Sequence, residues 1–204
     1  MAWLINKINQ HLKNKKITWI ILAIIIIALS SRTFIRNKDW QNQDTLWLSA
    51  VRTSPSSSQN HNNLGDLYAR QGNYQKAIEE FKKAIEIKPN YGDAYHNLAN
   101  IYHQIGDNEQ AIENYQKALS FNPSLWQSYQ NLAATYFEKE DFAKSLEYMS
   151  KAIQINPQGE ELYINTSIIY IKLNENEKAK ELLQKALQIN PENEKVKSFL
   201  RSLP

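Results

Sequence analysis

The sequence predicts an all-α solenoid of helix-turn-helix repeats, period 34, preceded by one hydrophobic helix. Three observations carry that expectation. Five of the six prolines, Pro55, Pro89, Pro123, Pro157 and Pro191, stand at one fixed interval of 34 residues. The residues between them repeat as well, two helical patterns to each interval. Two short helices cannot bury a hydrophobic face alone, so successive units must stack and share one elongated core. Ahead of the repeats, Ile17 to Leu29 is an uninterrupted apolar run rich in isoleucine.

Residues 1–16 form a basic tail carrying Lys7, Lys13, Lys15 and Lys16. Residues 17–35 read as a transmembrane helix, a signal anchor. Ile17 to Ser31 supplies about 22 Å of helix against about 30 Å of hydrocarbon, so it spans with help. Lys16 and Arg32 can snorkel, the bilayer can thin, or the helix can continue through Thr33, Phe34 and Ile35. A basic start, a short apolar stretch and the small-residue site Ala28-Leu29-Ser30 also meet the requirements of a cleaved secretory signal. Residues 36–57 follow as a linker helix. Trp47, Ala50 and Pro55 keep the register of the later repeats, so Asp39 to Thr53 reads as the second helix of a partial repeat.

Counting each proline as position 32, four complete repeats occupy 58–91, 92–125, 126–159 and 160–193. Position 7 reads Leu64, Leu98, Leu132 and Thr166, position 8 reads Gly65, Ala99, Ala133 and Ser167, and position 11 is tyrosine throughout: Tyr68, Tyr102, Tyr136 and Tyr170. In the second helix, position 20 reads Ala77, Ala111, Ser145 and Ala179, position 24 reads Phe81, Tyr115, Met149 and Leu183, and position 27 is Ala84, Ala118, Ala152 and Ala186. Small residues at 8, 20 and 27 let helix axes approach, and large ones at 11 and 24 fill the gaps. Proline then ends each second helix, since it lacks an amide hydrogen and disfavours a helical residue before it. In 194–204, Val196, Phe199, Leu200 and Leu203 share one face of a polar-backed helix suited to capping an array.

This pattern resembles the tetratricopeptide repeat (TPR) over about three quarters of the chain, with Thr166, Ser167 and Ser145 as its departures. The entry to the array has a resemblance of its own. Arg36-Asn37-Lys38-Asp39-Trp40, Thr45-Leu46-Trp47, Ser54-Pro55-Ser56 and Asn63-Leu64-Gly65 are similar to the junction in transmembrane-and-TPR O-mannosyltransferases, where the last membrane helix runs into the repeats. Those enzymes carry many membrane helices and an acidic catalytic loop upstream. The resemblance therefore implies a membrane-tethered array and no transferase activity by this polypeptide alone.

Charge divides the chain in the same place. Residues 1–55 carry a net charge of +6 and residues 56–204 a net of −3. The basic end suits anionic headgroups, and the acidic array has no concentrated Lys and Arg patch for nucleic acid. The lysines ahead of the segment, set against Arg32, Arg36 and Lys38 behind it, favour a cytoplasmic N-terminus and an array on the non-cytoplasmic side. The family behind the junction resemblance carries its repeats on that side too. No cysteine is present, so thiol chemistry and disulfides are excluded.

Nothing in the pattern points to an enzyme, a cofactor or a metal. His96 and His103 sit seven residues apart, about 10.5 Å of helical rise, which is too far to share one metal ion easily. Glu79 with Lys83 and Glu113 with Lys117 have the spacing of solvated helix pairs, and no two carboxylates are set to converge. The TPR resemblance implies that a carboxylate clamp of the kind some members use would need lysines where Asn62 and His96 stand.

One column exceeds what packing asks for. Position 6 is asparagine in every complete repeat: Asn63, Asn97, Asn131 and Asn165. Asparagine is an indifferent helix former, so local propensity does not select it. The TPR resemblance places this position on the concave face, where a similar ladder in the O-GlcNAc transferase superhelix grips an extended polypeptide. A carboxamide both donates and accepts, so it can pair with a peptide backbone whatever the side chains. The competing reading has these asparagines bridging helices within the array. Around them the expected groove grades from polar His96, Asn100 and His103 to apolar Phe137, Ile164, Ile168 and Ile171. The expected function is a membrane-anchored scaffold that binds an extended peptide, with the apolar end as anchor or as a self-association surface. The alternative is an accessory TPR subunit or C-terminal fragment of a split membrane glycosyltransferase.

Overall fold

No proline or glycine interrupts residues 15–39, and the result is a 25-residue helix, α1 (Lys15–Asp39). The structure, a computed structural model, describes residues 15–39 and 43–203. The chain divides into two units, 1–55 and 56–204. In the first, α1 is joined by α2 (Gln43–Thr53). Ile24, Ile25, Ile26 and Ile27 step about 300° around the α1 axis, and each is at least 46% exposed. No side chain from 19 to 31 is buried. The Thr33 hydroxyl donates to the Leu29 carbonyl at 2.9 Å, returning its polarity to the helix backbone.

Among the described residues no helix is long and apolar enough to cross a membrane. The expected segment 17–35 also needs Ile17, Thr18, Arg32 and Ile35, whose side chains lie outside the described ones, as does the basic tail 1–14.

The second unit is an all-α solenoid. First helices α3 (Ser58–Arg70), α5 (Gly92–Gln104), α7 (Trp126–Glu138) and α9 (Glu160–Lys172) alternate with second helices α4 (Tyr74–Ile87), α6 (Asn108–Phe121), α8 (Phe142–Ile155) and α10 (Asn176–Ile189). A last helix, α11 (Glu194–Ser202), covers the end with Val196, which is buried with Leu183 and Ala186. Each second helix stops two residues before its proline.

The turn inside every repeat has two working positions. Position 15 is left-handed in all four: Gly72 (φ 74°), Gly106 (φ 82°), Glu140 (φ 58°) and Asn174 (φ 60°). The next residue caps the second helix. Asn73, Asp107 and Asp141 accept the amides of Lys76, Gln110 and Lys144 at 3.1–3.3 Å, while Glu175 makes no such bond. A left-handed glutamate pays a steric penalty that glycine avoids, partly offset by glycine's larger entropy loss. Glu140→Gly is therefore expected to raise the stability of the full chain by about 0.5–1 kcal/mol. A urea midpoint unchanged or lowered would refute that account.

The core follows the repeat columns. Ala84, Ala118, Ala152 and Ala186 are fully buried, and Phe81, Tyr115, Met149 and Leu183 are 2% exposed or less. The polar departures are absorbed locally. Ser145 donates to the Ala133 carbonyl at 2.8 Å, Thr166 to Leu162 at 2.6 Å and Ser167 to Ile164 at 2.7 Å, so no hydroxyl is stranded in the core.

Candidate functional site

One face of the first helices carries three successive pockets, one at each junction between repeats. The first, about 430 Å³, is lined by Asp66, Arg70, Asn97, Asn100 and Gln104. The second, about 450 Å³, is lined by Asn100, His103, Gln104, Asn131 and Ala134. The third, about 200 Å³, is lined by Ala134, Phe137, Asn165, Ile168 and Ile169. Each pocket thus includes the position-6 asparagine of its later repeat. The buried position-24 residue of the earlier repeat forms the floor: Phe81, Tyr115 and Met149 in turn.

The ladder asparagines divide their hydrogen bonds. Asn97 Nδ2 donates to Asn62 Oδ1 at 3.0 Å, and Asn131 Nδ2 donates to Asn100 Oδ1 at 2.8 Å. Each therefore bridges repeats with one amide hydrogen, while its carbonyl oxygen accepts no bond among the described residues. Asn63 accepts from Gln59 Nε2 at 3.0 Å and lines none of the three pockets. Asn165 makes no side-chain hydrogen bond among the described residues, and it lines the third pocket. The bridging and the groove readings therefore describe different atoms of the same side chains.

Beneath the second pocket lies a polar network. The Tyr115 hydroxyl donates to Asn100 Oδ1 at 2.6 Å, and Asn100 Nδ2 meets His96 Nε2 at 3.1 Å. An amide nitrogen is a donor, so Nε2 accepts and the imidazole hydrogen sits on Nδ1, 2.7 Å from Ser128 Oγ. Burial pushes His96 down to about 4, with the Asp93 charge offsetting a little, so the ring is neutral near pH 7. Burial likewise pushes the Tyr115 phenol up, with Asn131 partly offsetting. His103 Nε2 lies 3.0 Å from Glu138 Oε1 but off the line of a hydrogen bond. Asp66 and Arg70 pair at 2.9 Å.

At the apolar end, Phe137 meets Phe142 edge-on with centroids 5.5 Å apart, and Ile168 is 37% exposed. Ile164 is elsewhere, packed against the Leu183, Ala186 and Val196 cluster beside α11. Ile171 is half-buried and lines none of these pockets. Sequence reasoning treated Phe81, Tyr115 and Met149 as packing residues alone, since nothing in a periodic pattern separates the inner side of a large residue from its outer one.

Three family models described as tetratricopeptide repeat match residues 56–124, 93–160 and 136–203. The Homo sapiens protein O-mannosyl-transferase TMTC3 is 33% identical over 75 residues, covering 37% of this chain and 8% of that protein. Mus musculus TMTC4 is 34% identical over 76 residues (37% and 10%), and Drosophila melanogaster Tmtc2 is 33% identical over 69 residues (34% and 7%). The chain thus spans a tenth or less of the length of these relatives. Among solved structures, YrrB, described as a TPR protein with an unusual peptide-binding site, superposes with a TM-score of 0.65 at 18% identity, covering 97% of each chain. MamA residues 41-end from Desulfovibrio magneticus RS-1 gives 0.66 at 19% (84% and 96%), and Pseudomonas aeruginosa PilF gives 0.63 at 24% (68% and 64%). At these identities the structural likeness establishes the fold.

Proposed function

Because this chain belongs to the tetratricopeptide-repeat family through residues 56–203, we propose that it is a membrane-anchored scaffold that binds an extended peptide segment of a protein partner and performs no chemistry of its own. The observation that carries this reading is the row of three pockets, each with a position-6 asparagine in its wall. Unused carboxamide atoms at regular intervals suit a partner whose backbone repeats its own N–H and C=O groups. The anchor reading is supported by α1, whose isoleucines are exposed around the helix, a surface suited to apolar surroundings. On this proposal the array stands on the non-cytoplasmic side.

The decisive variant is Asn165→Ala, because that side chain makes no hydrogen bond among the described residues. Full-length protein would be purified in mild detergent from its own membranes, wild type beside variant, and the co-purifying proteins identified. The expected result is partner recovery reduced several-fold with stability within about 0.5 kcal/mol of wild type. An unchanged set of partners would defeat the groove reading. Asn97→Ala is a poorer probe, since it strands the buried Asn62 carbonyl and is expected to cost about 1–3 kcal/mol by itself.

The likeness to the O-mannosyl-transferases favours a second reading, an accessory subunit of a split membrane glycosyltransferase. Co-purification of a polytopic glycosyltransferase would select it. Recovery of other partners alone would set it aside.

A further inference from the structure

The three pockets differ in their floors, and the third differs in kind. Phe81 closes the first with an aromatic ring, and Tyr115 closes the second with a hydroxyl engaged by Asn100. At the third, Met149 stands in the same column with a flexible thioether, and the hollow is the smallest of the three, about 200 Å³. Position 9, at the rim, changes in step: Asp66, then Asn100, then Ala134 and Ile168. The one serine in the hollow, Ser145, turns its hydroxyl to the Ala133 carbonyl at 2.8 Å and presents no free polar atom. Apart from the Asn165 carboxamide the lining is hydrocarbon and sulfur.

Resting on the groove reading above, we infer that this hollow is an anchor pocket for a single aliphatic or thioether side chain, and that the peptide partner is otherwise polar and uncharged where it crosses the first two pockets. Size sets the first part. An apolar cavity of about 150 Å³ accepts a molecule as large as benzene, so this one suits one leucine or methionine side chain. Charge sets the second part. The charged side chains that line the pockets, Asp66 and Arg70, already face each other, and a charged partner would have to displace that contact. Packed helices stand about 8–10 Å apart and extended chain advances about 3.3 Å per residue, so one repeat corresponds to about three residues of partner. The side chain in the first pocket therefore lies about six residues from the anchor.

Met149 makes the inference testable, because the chain has only two methionines and the other is Met1. Full-length protein carrying ¹³C-methyl methionine would be titrated in detergent with two capped nonapeptides built from serine, asparagine and glutamine, one with a central leucine and one with serine there. The leucine peptide is expected to bind at least tenfold more tightly and to move the Met149 methyl resonance; the serine peptide leaves that resonance in place. Met149→Phe fills the hollow and should abolish the preference; Ala133 stands where the first repeat has Gly65 beside Phe81, so the ring is more crowded here than Phe81 is in its own repeat. Its fold is checked by its circular dichroism and urea midpoint. Should that variant be unstable, Ile168→Asn, at the exposed rim, is expected to weaken leucine binding in the same way. Equal binding of the two peptides, or leucine binding that leaves the Met149 methyl unmoved, overturns the anchor pocket and spares the groove. Binding of neither peptide at millimolar concentration overturns both.

Discussion

Replacing Phe81 with alanine is expected to cost about 3–5 kcal/mol and to unfold α3 and α4 ahead of the rest of the array. The ring is 1% exposed and sits in the main core with Leu98, Ile101 and Tyr102. Its edge also reaches into the space that a side chain on α3 would take, since a Cβ built on Gly65 would lie 2.7 Å from Phe81 Cε1. That contact supplies an internal control. In the native background Gly65→Ala forces the ring aside and is expected to destabilise, its overpacking cost of about 1–3 kcal/mol exceeding the gain of about 1 kcal/mol in helix propensity. In the Phe81→Ala background the obstruction is gone, so the same substitution should stabilise. A cycle of urea titrations reads the change of sign; a Gly65→Ala effect equal in both backgrounds would show that the two residues do not share the space. Because repeats interact only with their neighbours, hydrogen exchange should speed up first in 58–87 and last near α11.

Acid should destabilise the array well above the pH at which carboxylates titrate. His96 is held neutral by burial, at about 4 in the folded chain against about 6.5 unfolded, so the unfolded state takes up the proton first. Above about pH 6.5 the residue contributes no pH dependence. As the pH falls from there to about 4, stability should drop progressively, by about 3 kcal/mol in all. Geometry agrees with the sign. A proton on Nε2 would face the Asn100 amide, itself a donor, and would force that side chain to abandon either Tyr115 or Asn131. The Asp93 charge opposes the effect. Glu80 titrates in the same direction for a different reason. Its burial would raise its pKa, but the bonds from Lys83 and His61 prevail and lower it, so its contribution is lost only below about pH 4.5. The His96→Asn variant should therefore flatten the stability curve between pH 6.5 and 4 and leave the steeper fall below it. A curve unchanged by the variant would remove His96 from the account.

The sequence exposes the fold because the core of a solenoid is written once per repeat. A proline every 34 residues, alanine at position 27 and tyrosine at position 11 can be read without coordinates, and they describe residues that do the same physical job each time. The turn is harder. Gly72 and Gly106 advertise a left-handed residue, but Glu140 and Asn174 adopt the same conformation without the signature, so the column does not declare itself. The same limit applies to the groove. Four asparagines in register are visible in the sequence, whereas the use of one amide hydrogen of Asn97 and of Asn131 to tie repeats together is a matter of rotamer and distance. Ile164, grouped by position with Ile168, packs toward α11 because the array ends there and the last repeat has a different neighbour. Periodicity assigns residues to columns; it does not say which atoms of a residue face inward.

In the column that holds Phe81, Tyr115 and Met149, a single side chain per repeat both fills the core and lines a pocket. Each member is matched to position 8 of its own repeat: Phe81 fills the space that Gly65 leaves open, whereas Tyr115 and Met149 stand in repeats with Ala99 and Ala133 there. An ancestor that duplicated its repeats would have acquired several such paired positions at once. Reshaping one of these pockets, in evolution or on the bench, then becomes a matter of changing two letters together.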